Sequence, residues 1–236
     1  FIHTDGSVGV YVPTTAVTGV VRVVGSAVSV PLQIVPVVTD VQIESVAGDG
    51  SFAVVLVYGQ GFTEGDAEYR FGNAVVRDET VQSGPDEFSN GTVVRLTLPL
   101  SGGAFGGVSV KTAGGVSGVY TVSLAGVQAV ALSGTPADAA VASANAGQTV
   151  KLLGTGLTLG TDVLLKWVNH VGGAETLRLN PTQVSADGTS AELDLPAYVN
   201  GVLQLQVLGS ASQPLLQIVP TVQRVDIQDR IVLFGS

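Results

Sequence analysis

Residues 54–73 read VVLVYGQGFTEGDAEYRFGN, and residues 149–169 read TVKLLGTGLTLGTDVLLKWVN. Tyr58-Gly59-Gln60-Gly61-Phe62 lies over Leu153-Gly154-Thr155-Gly156-Leu157, and Asp66–Asn73 lies over Asp162–Asn169 without a gap. After the glycines the side chains alternate. Ala67, Tyr69 and Phe71 share one face, with Glu68 and Arg70 on the other; Val163, Leu165 and Trp167 share the matching face, opposite Lys166. A period of two is that of a β-strand with one face buried. Trp167 falls on the Phe71 phase, so it is expected in a core and not on a sugar-stacking surface. The paired glycines read as strand ends where the chain bends or bulges.

Working outward, the same order of elements recurs. Asp5-Gly6-Ser7, Asn90-Gly91-Thr92 and Asp187-Gly188-Thr189 are turn signals. Each opens an alternating strand closed by Pro13, Pro99 or Pro196: VGVYVP, VVRLTLP and SAELDLP. A second, glycine-led strand follows each proline: GVVRVVG from Gly19, GVSVKTA from Gly107 and GVLQLQVLG from Gly201. The segments ending at Ile43, Leu132 and Ile227 align as well, at spacings of 89 and 95 residues. A period of about 90 residues is the size of one sandwich domain. The chain therefore divides into 1–39, the back part of a repeat; 40–127 and 128–222, two whole repeats of six or seven strands; and 223–236, the first strand of a further repeat. Phe1 opens in mid-pattern, so the expectation is a piece of a longer array. The junctions carry no long Gly/Ser or charged linker, which predicts closely stacked units. Pro136–Ala146 is Ala-rich and inserted relative to the first full repeat, and reads as a loop. The fold class predicted is all-β: tandem antiparallel β-sandwiches.

Composition agrees and narrows the function. Of 236 residues, 43 are Val and 31 are Gly, both poor helix formers. Charged residues are only 12%, and the net charge is −9 with three Lys. That cation density does not suit duplex nucleic acid. The absence of Cys excludes disulfides and thiolate metal sites. No stretch reaches the roughly 18 apolar residues of a membrane helix.

Taken together, the G-x-G-[FL] element (Gly59–Phe62, Gly154–Leu157), the strand bearing Phe71 or Trp167, the Asx-Gly-Thr turn, the strand ending at Pro99 or Pro196 and the glycine-led strand resemble the IPT/TIG branch of immunoglobulin-like domains. The resemblance covers nearly the whole chain. It implies an Ig-like sandwich and no shared catalytic site. Members of that branch occur in cell-surface receptors, bacterial surface proteins, accessory modules of carbohydrate-active enzymes and transcription factors.

The residues themselves nominate no catalytic, cofactor-binding or metal-binding site. His3 and His170 stand in non-equivalent places, each without a second His nearby. There is no G-x-S-x-G elbow, and the G-x-G elements lack a Lys and do not open a helix. Interdomain calcium is a minor expectation. Asp40 and Glu44 at the first junction, and Asp226 and Asp229 at the third, could contribute oxygens, but Ala129 stands at the Asp40 position of the middle junction. The expected role is a structural or adhesive segment of a large exported bacterial cell-surface protein: stalk, fibre or surface-layer element. Its partners would be neighbouring repeats, copies of itself, or a surface protein or glycan. The alternative is a carbohydrate- or protein-binding accessory module of a secreted enzyme, for which Tyr198 and Phe105 are the aromatics expected at the surface.

Overall fold

The computed structural model describes residues 2–78, 91–101, 103–227 and 231–235, and from residue 223 onward the backbone alone. No helix occurs among the described residues. At the start, β1 (Gly19–Arg22) and β2 (Ser29–Leu32) form an isolated antiparallel pair. Its Val20, Val21 and Val30 are exposed.

The first sandwich comprises β3 (Val37–Val46), β4 (Phe52–Gln60), β5 (Ala67–Phe71), β6 (Ala74–Asp78), β7 (Val93–Pro99), β8 (Val108–Thr112) and β9 (Gly115–Val116). One sheet runs β3-β4-β7 and the other β6-β5-β8-β9. Val55 and Val57 of β4 and Leu96 and Leu98 of β7 bury against Tyr69, Phe71, Val108 and Val110. Phe62 meets Tyr69 edge to face at 5.9 Å.

The second sandwich comprises β10 (Ser123–Gln128), β11 (Ala142–Ala144), β12 (Thr149–Thr155), β13 (Val163–Val168), β14 (Ala174–Leu179), β15 (Gln183–Val184), β16 (Ser190–Asp194), β17 (Val202–Val207) and β18 (Leu215–Ile218). Its sheets run β10-β12-β16-β15 and β11-β18-β17-β13-β14. Leu152 and Leu193 of the first sheet bury against Leu165, Trp167, Leu203 and Leu205 of the second. The chain closes on an antiparallel pair, β19 (Val222–Ile227) and β20 (Ile231–Gly235). These are two face-to-face, largely antiparallel sandwiches in tandem, of immunoglobulin-like architecture.

The repeated G-x-G element has one job in both sandwiches. A Cβ on Gly59 would lie 1.9 Å from the Val37 carbonyl oxygen, and one on Gly154 1.8 Å from that of Ser123. The first glycine thus lets the leading strand cross at backbone distance. Just beyond, that strand bulges, between Val38 and Asp40 or between Leu124 and Gly126.

The shared contact sets the alignment. Val37 and Ser123 are equivalent and 86 residues apart, so Gly126, not Ala129, stands at the Asp40 position. Ser123–Gln128, which the repeat spacing puts mostly at the close of the first unit, pairs with β12 in the second sandwich. Pro136–Ala146 contains no helix, as read; its end is β11, which pairs parallel with β18. Trp167 is buried at 5% exposure, on the core phase expected for it.

One aromatic is misplaced by the sequence reading. Phe105 is 7% exposed and joins the first core. Its glycine-rich loop is fastened over the β5–β6 turn, where Asn73 donates its amide to the Gly103 carbonyl (2.9 Å) and Gly72 to that of Gly107 (3.0 Å). The fastening turns the ring inward. Tyr198 is exposed as expected, at 64%.

Candidate functional site

The most developed polar arrangement lies where the two sandwiches meet. Among the described residues β3 is the edge of its three-stranded sheet, with no strand pairing one side of its backbone. The second sandwich supplies the missing partners. The Ile43 amide donates to Asp162 Oδ2 at 2.5 Å, and Arg178 Nη1 donates to the Ile43 carbonyl. Both backbone groups of one residue are thereby held by a carboxylate and a guanidinium that also face each other, with Arg178 Nη1 and Asp162 Oδ1 3.6 Å apart. Asn180 Nδ2 donates to Asp162 Oδ1 (2.9 Å) and to the Thr161 carbonyl (3.1 Å), fixing the carboxylate from its own side. Asp162 is buried, whereas Arg178 keeps 37% of its side chain in solvent. Charge-assisted bonds of this kind are worth about 1.5–3 kcal/mol each.

Around this clasp the contact is apolar. Leu164, on the outward phase of β13, and Leu208 both pack into the core of the first sandwich. Tyr120 packs against both cores. Its hydroxyl donates to Asp40 Oδ1 at 3.2 Å, and burial, followed by the Asp40 charge, pushes its pKa up to about 12. Further along, the Thr176 amide donates to the Gly48 carbonyl at 2.7 Å. The void left between Asp40, Ile43, Tyr120, Thr161, Asp162 and Leu208 is about 20 Å³, room for about one water.

The acids weighed for calcium are engaged otherwise. Asp40 Oδ1 accepts from the Val41 amide (2.8 Å) and Oδ2 from Gln42 Nε2 (2.8 Å), while Glu44 Oε2 accepts from Arg95 Nε (2.7 Å). The side chain of Asp226 and all of Asp229 lie outside the described residues. His3 and His170 are both exposed. Among the described residues no three His, Asp or Glu side chains gather in a metal-binding group. The clasp itself was missed by sequence reasoning. The available signal was Leu164, an apolar residue standing on the outward phase where the first repeat has Glu68.

No family model and no curated protein matches the chain. Solved structures do. It is similar to SGBP-B from a complex xyloglucan utilization locus in Bacteroides uniformis, at 14% identity and a TM-score of 0.29, over 77% of this chain and 48% of that one. A protein crystallised with a xylogluco-oligosaccharide matches at 15% identity and 0.26, over 81% and 43%. A tetra-tandem repeat from the extending region of a large adhesion protein matches at 15% identity and 0.24, over 81% and 53%. The chain spans about half the length of these structures. The likeness is one of fold and assigns no ligand or role to this chain.

Proposed function

We propose that this chain is a non-catalytic, stiff spacer: stacked immunoglobulin-like repeats of the IPT/TIG type within a large exported cell-surface protein, serving as a stalk, fibre or surface-layer element. The observation that carries the reading is the clasp. Asp162 and Arg178 grip the backbone of Ile43 rather than a replaceable side chain, and Leu164 and Leu208 plug the neighbour's core. Such a junction sets the angle between units, which a spacer requires and a flexibly tethered module does not. The partners proposed are neighbouring repeats. The glycan-binding alternative loses Phe105 to the core and keeps Tyr198.

Small-angle X-ray scattering tests the reading. The intact chain is expected to scatter as one stiff particle with a single interdomain angle, and the Asp162→Ala/Arg178→Ala double variant as a broad distribution. A broad distribution for the unaltered chain overturns it.

A further inference from the structure

The clasp has a second, open copy. The strand ladders align Asp66 with Asp162, Glu68 with Leu164 and Arg77 with Arg178, since Glu68 pairs Arg77 across β5–β6 as Leu164 pairs Arg178 across β13–β14. By the same ladders Lys111, Thr112 and Ala113 correspond to Gln206, Val207 and Leu208. At the junction this surface is filled by β3 and Tyr120. On the first sandwich it is a groove of about 370 Å³ between Asp66, Glu68, Arg77, Asp78, Lys111 and Ala113. Asp66 is exposed where Asp162 is buried. Arg77 Nε donates to Glu68 Oε2 at 3.2 Å, and Arg70 also pairs with Glu68. Burial opposes the Glu68 charge, yet the hydrogen bonds from Arg77 and Arg70 prevail and hold its carboxyl below the usual range.

We infer that the groove of the first sandwich receives the leading strand of another immunoglobulin-like repeat, edge-on, with Asp66 and Arg77 taking the backbone amide and carbonyl of one residue. The inference rests on the stacked-repeat reading and names the partner of its next joint.

Continuity with the existing joint supports it. The segments that lead into β3 and into β10 lie at the rim of the two grooves in the same way. A Cβ on Gly114 would meet the Ile34 carbonyl oxygen at 1.9 Å, and one on the equivalent Gly209 would meet the Val122 amide nitrogen at 2.8 Å. Ile34 is held there by its amide donating to Thr18 Oγ1 at 2.9 Å. What the filled junction has beyond this is the leading strand. The first joint differs in its floor: Glu68 and Ala113 replace the two leucines, so the strand is held by charged groups and its backbone, with little burial.

The test supplies that strand. The segment Val37–Val46, which the second sandwich grips, is appended ahead of residue 1 of the full chain through a flexible Gly/Ser linker of about 25 residues, giving a local concentration in the millimolar range. Backbone NMR shifts are expected to move at Gly65–Glu68, Arg77–Asp78 and Lys111–Ala113. Asp66→Asn and Arg77→Gln, both at exposed positions, should each lower the docked population at least tenfold. Unmoved resonances, equal movement from a scrambled segment, or movement that survives both substitutions overturns the inference. Scattering from the unaltered chain judges the spacer reading separately. A flexible middle junction with a docked strand would sink that reading alone, and a stiff one with an empty groove would sink this inference alone.

Discussion

Ile43 donates its backbone amide to the carboxylate of Asp162, 119 positions further along the chain, across the boundary between two sandwiches. An edge strand that would otherwise offer free backbone groups is capped by side chains of the next unit.

Asp162→Asn keeps the shape and removes the charge facing Arg178. The expected loss is about 1–3 kcal/mol of coupling between the sandwiches. Chemical denaturation followed separately by tryptophan fluorescence, which reports the second sandwich through its single Trp167, and by far-UV dichroism should show the two transitions drawing apart.

Leu164→Glu installs the residue that the first repeat carries at the equivalent position. An uncompensated charge against a packed core costs about 3–5 kcal/mol if the contact is kept. Parting of the units relieves that cost, so scattering should broaden while the Trp167 transition stays within about 1 kcal/mol of the original. A collapse of the Trp167 transition would place Leu164 in the core of its own sandwich instead.

Trp167→Ala should destabilise the second sandwich by about 3–5 kcal/mol. Because the ring is 5% exposed, its intrinsic fluorescence before unfolding should be blue-shifted and poorly quenched by iodide. Strong quenching in the native state contradicts the burial.

Tyr69→Phe should leave the first sandwich as stable as before, or more stable by about 1 kcal/mol. The Tyr69 hydroxyl is buried without a hydrogen-bond partner among the described residues, and desolvation, followed by the charges of Asp78 and Glu64, raises its pKa far above the usual phenol range. A clear loss of stability on denaturant melting would reveal a partner for the hydroxyl.

Stability should fall in acid through the D-G-[ST] turns. Hydroxyl bonds from Ser185 and Thr189, and the Thr189 amide, hold Asp187 at about 2; Asp49 is lowered by the hydroxyl and amide of Ser51, and Asp5 by the amide and hydroxyl of Ser7. A depressed carboxyl favours the fold above the unfolded value near 3.9 and loses that contribution as pH falls towards its folded value. The melting temperature of Asp187→Asn should therefore vary less between pH 4 and pH 2 than that of the unaltered chain.

The sandwich was legible because its signals are local and repeated. Tyr69, Phe71, Leu165 and Trp167 sit on strands whose alternation survives alignment, and Gly59 and Gly154 mark the same crossing twice. Phe105 was not legible, since its burial depends on a glycine-rich loop fastened by backbone bonds that no side-chain pattern encodes. β11 escaped notice because three small residues, Ala142–Ala144, carry no alternation and their partner β18 lies some seventy positions away. The clasp was hidden for a related reason. Its acceptor and donor at Ile43 are main-chain atoms, and any residue supplies those.

The parallel pairing of β11 with β18 has a mechanical consequence. Ala142, Ser143 and Ala144 face Leu216, Gln217 and Ile218, joining a strand near the entrance of the second sandwich to the one at its exit. Tension applied along the chain drags these strands in opposite directions, so the rungs between them are strained together in shear and must rupture as a set. In an antiparallel hairpin opened from its end, such as β1–β2, the rungs give way one after another at much lower force. The described part of the first sandwich has no parallel patch, its β3 pairing only with β4. Under a steady pull the two units should yield in order, the first sandwich lengthening while the second still resists.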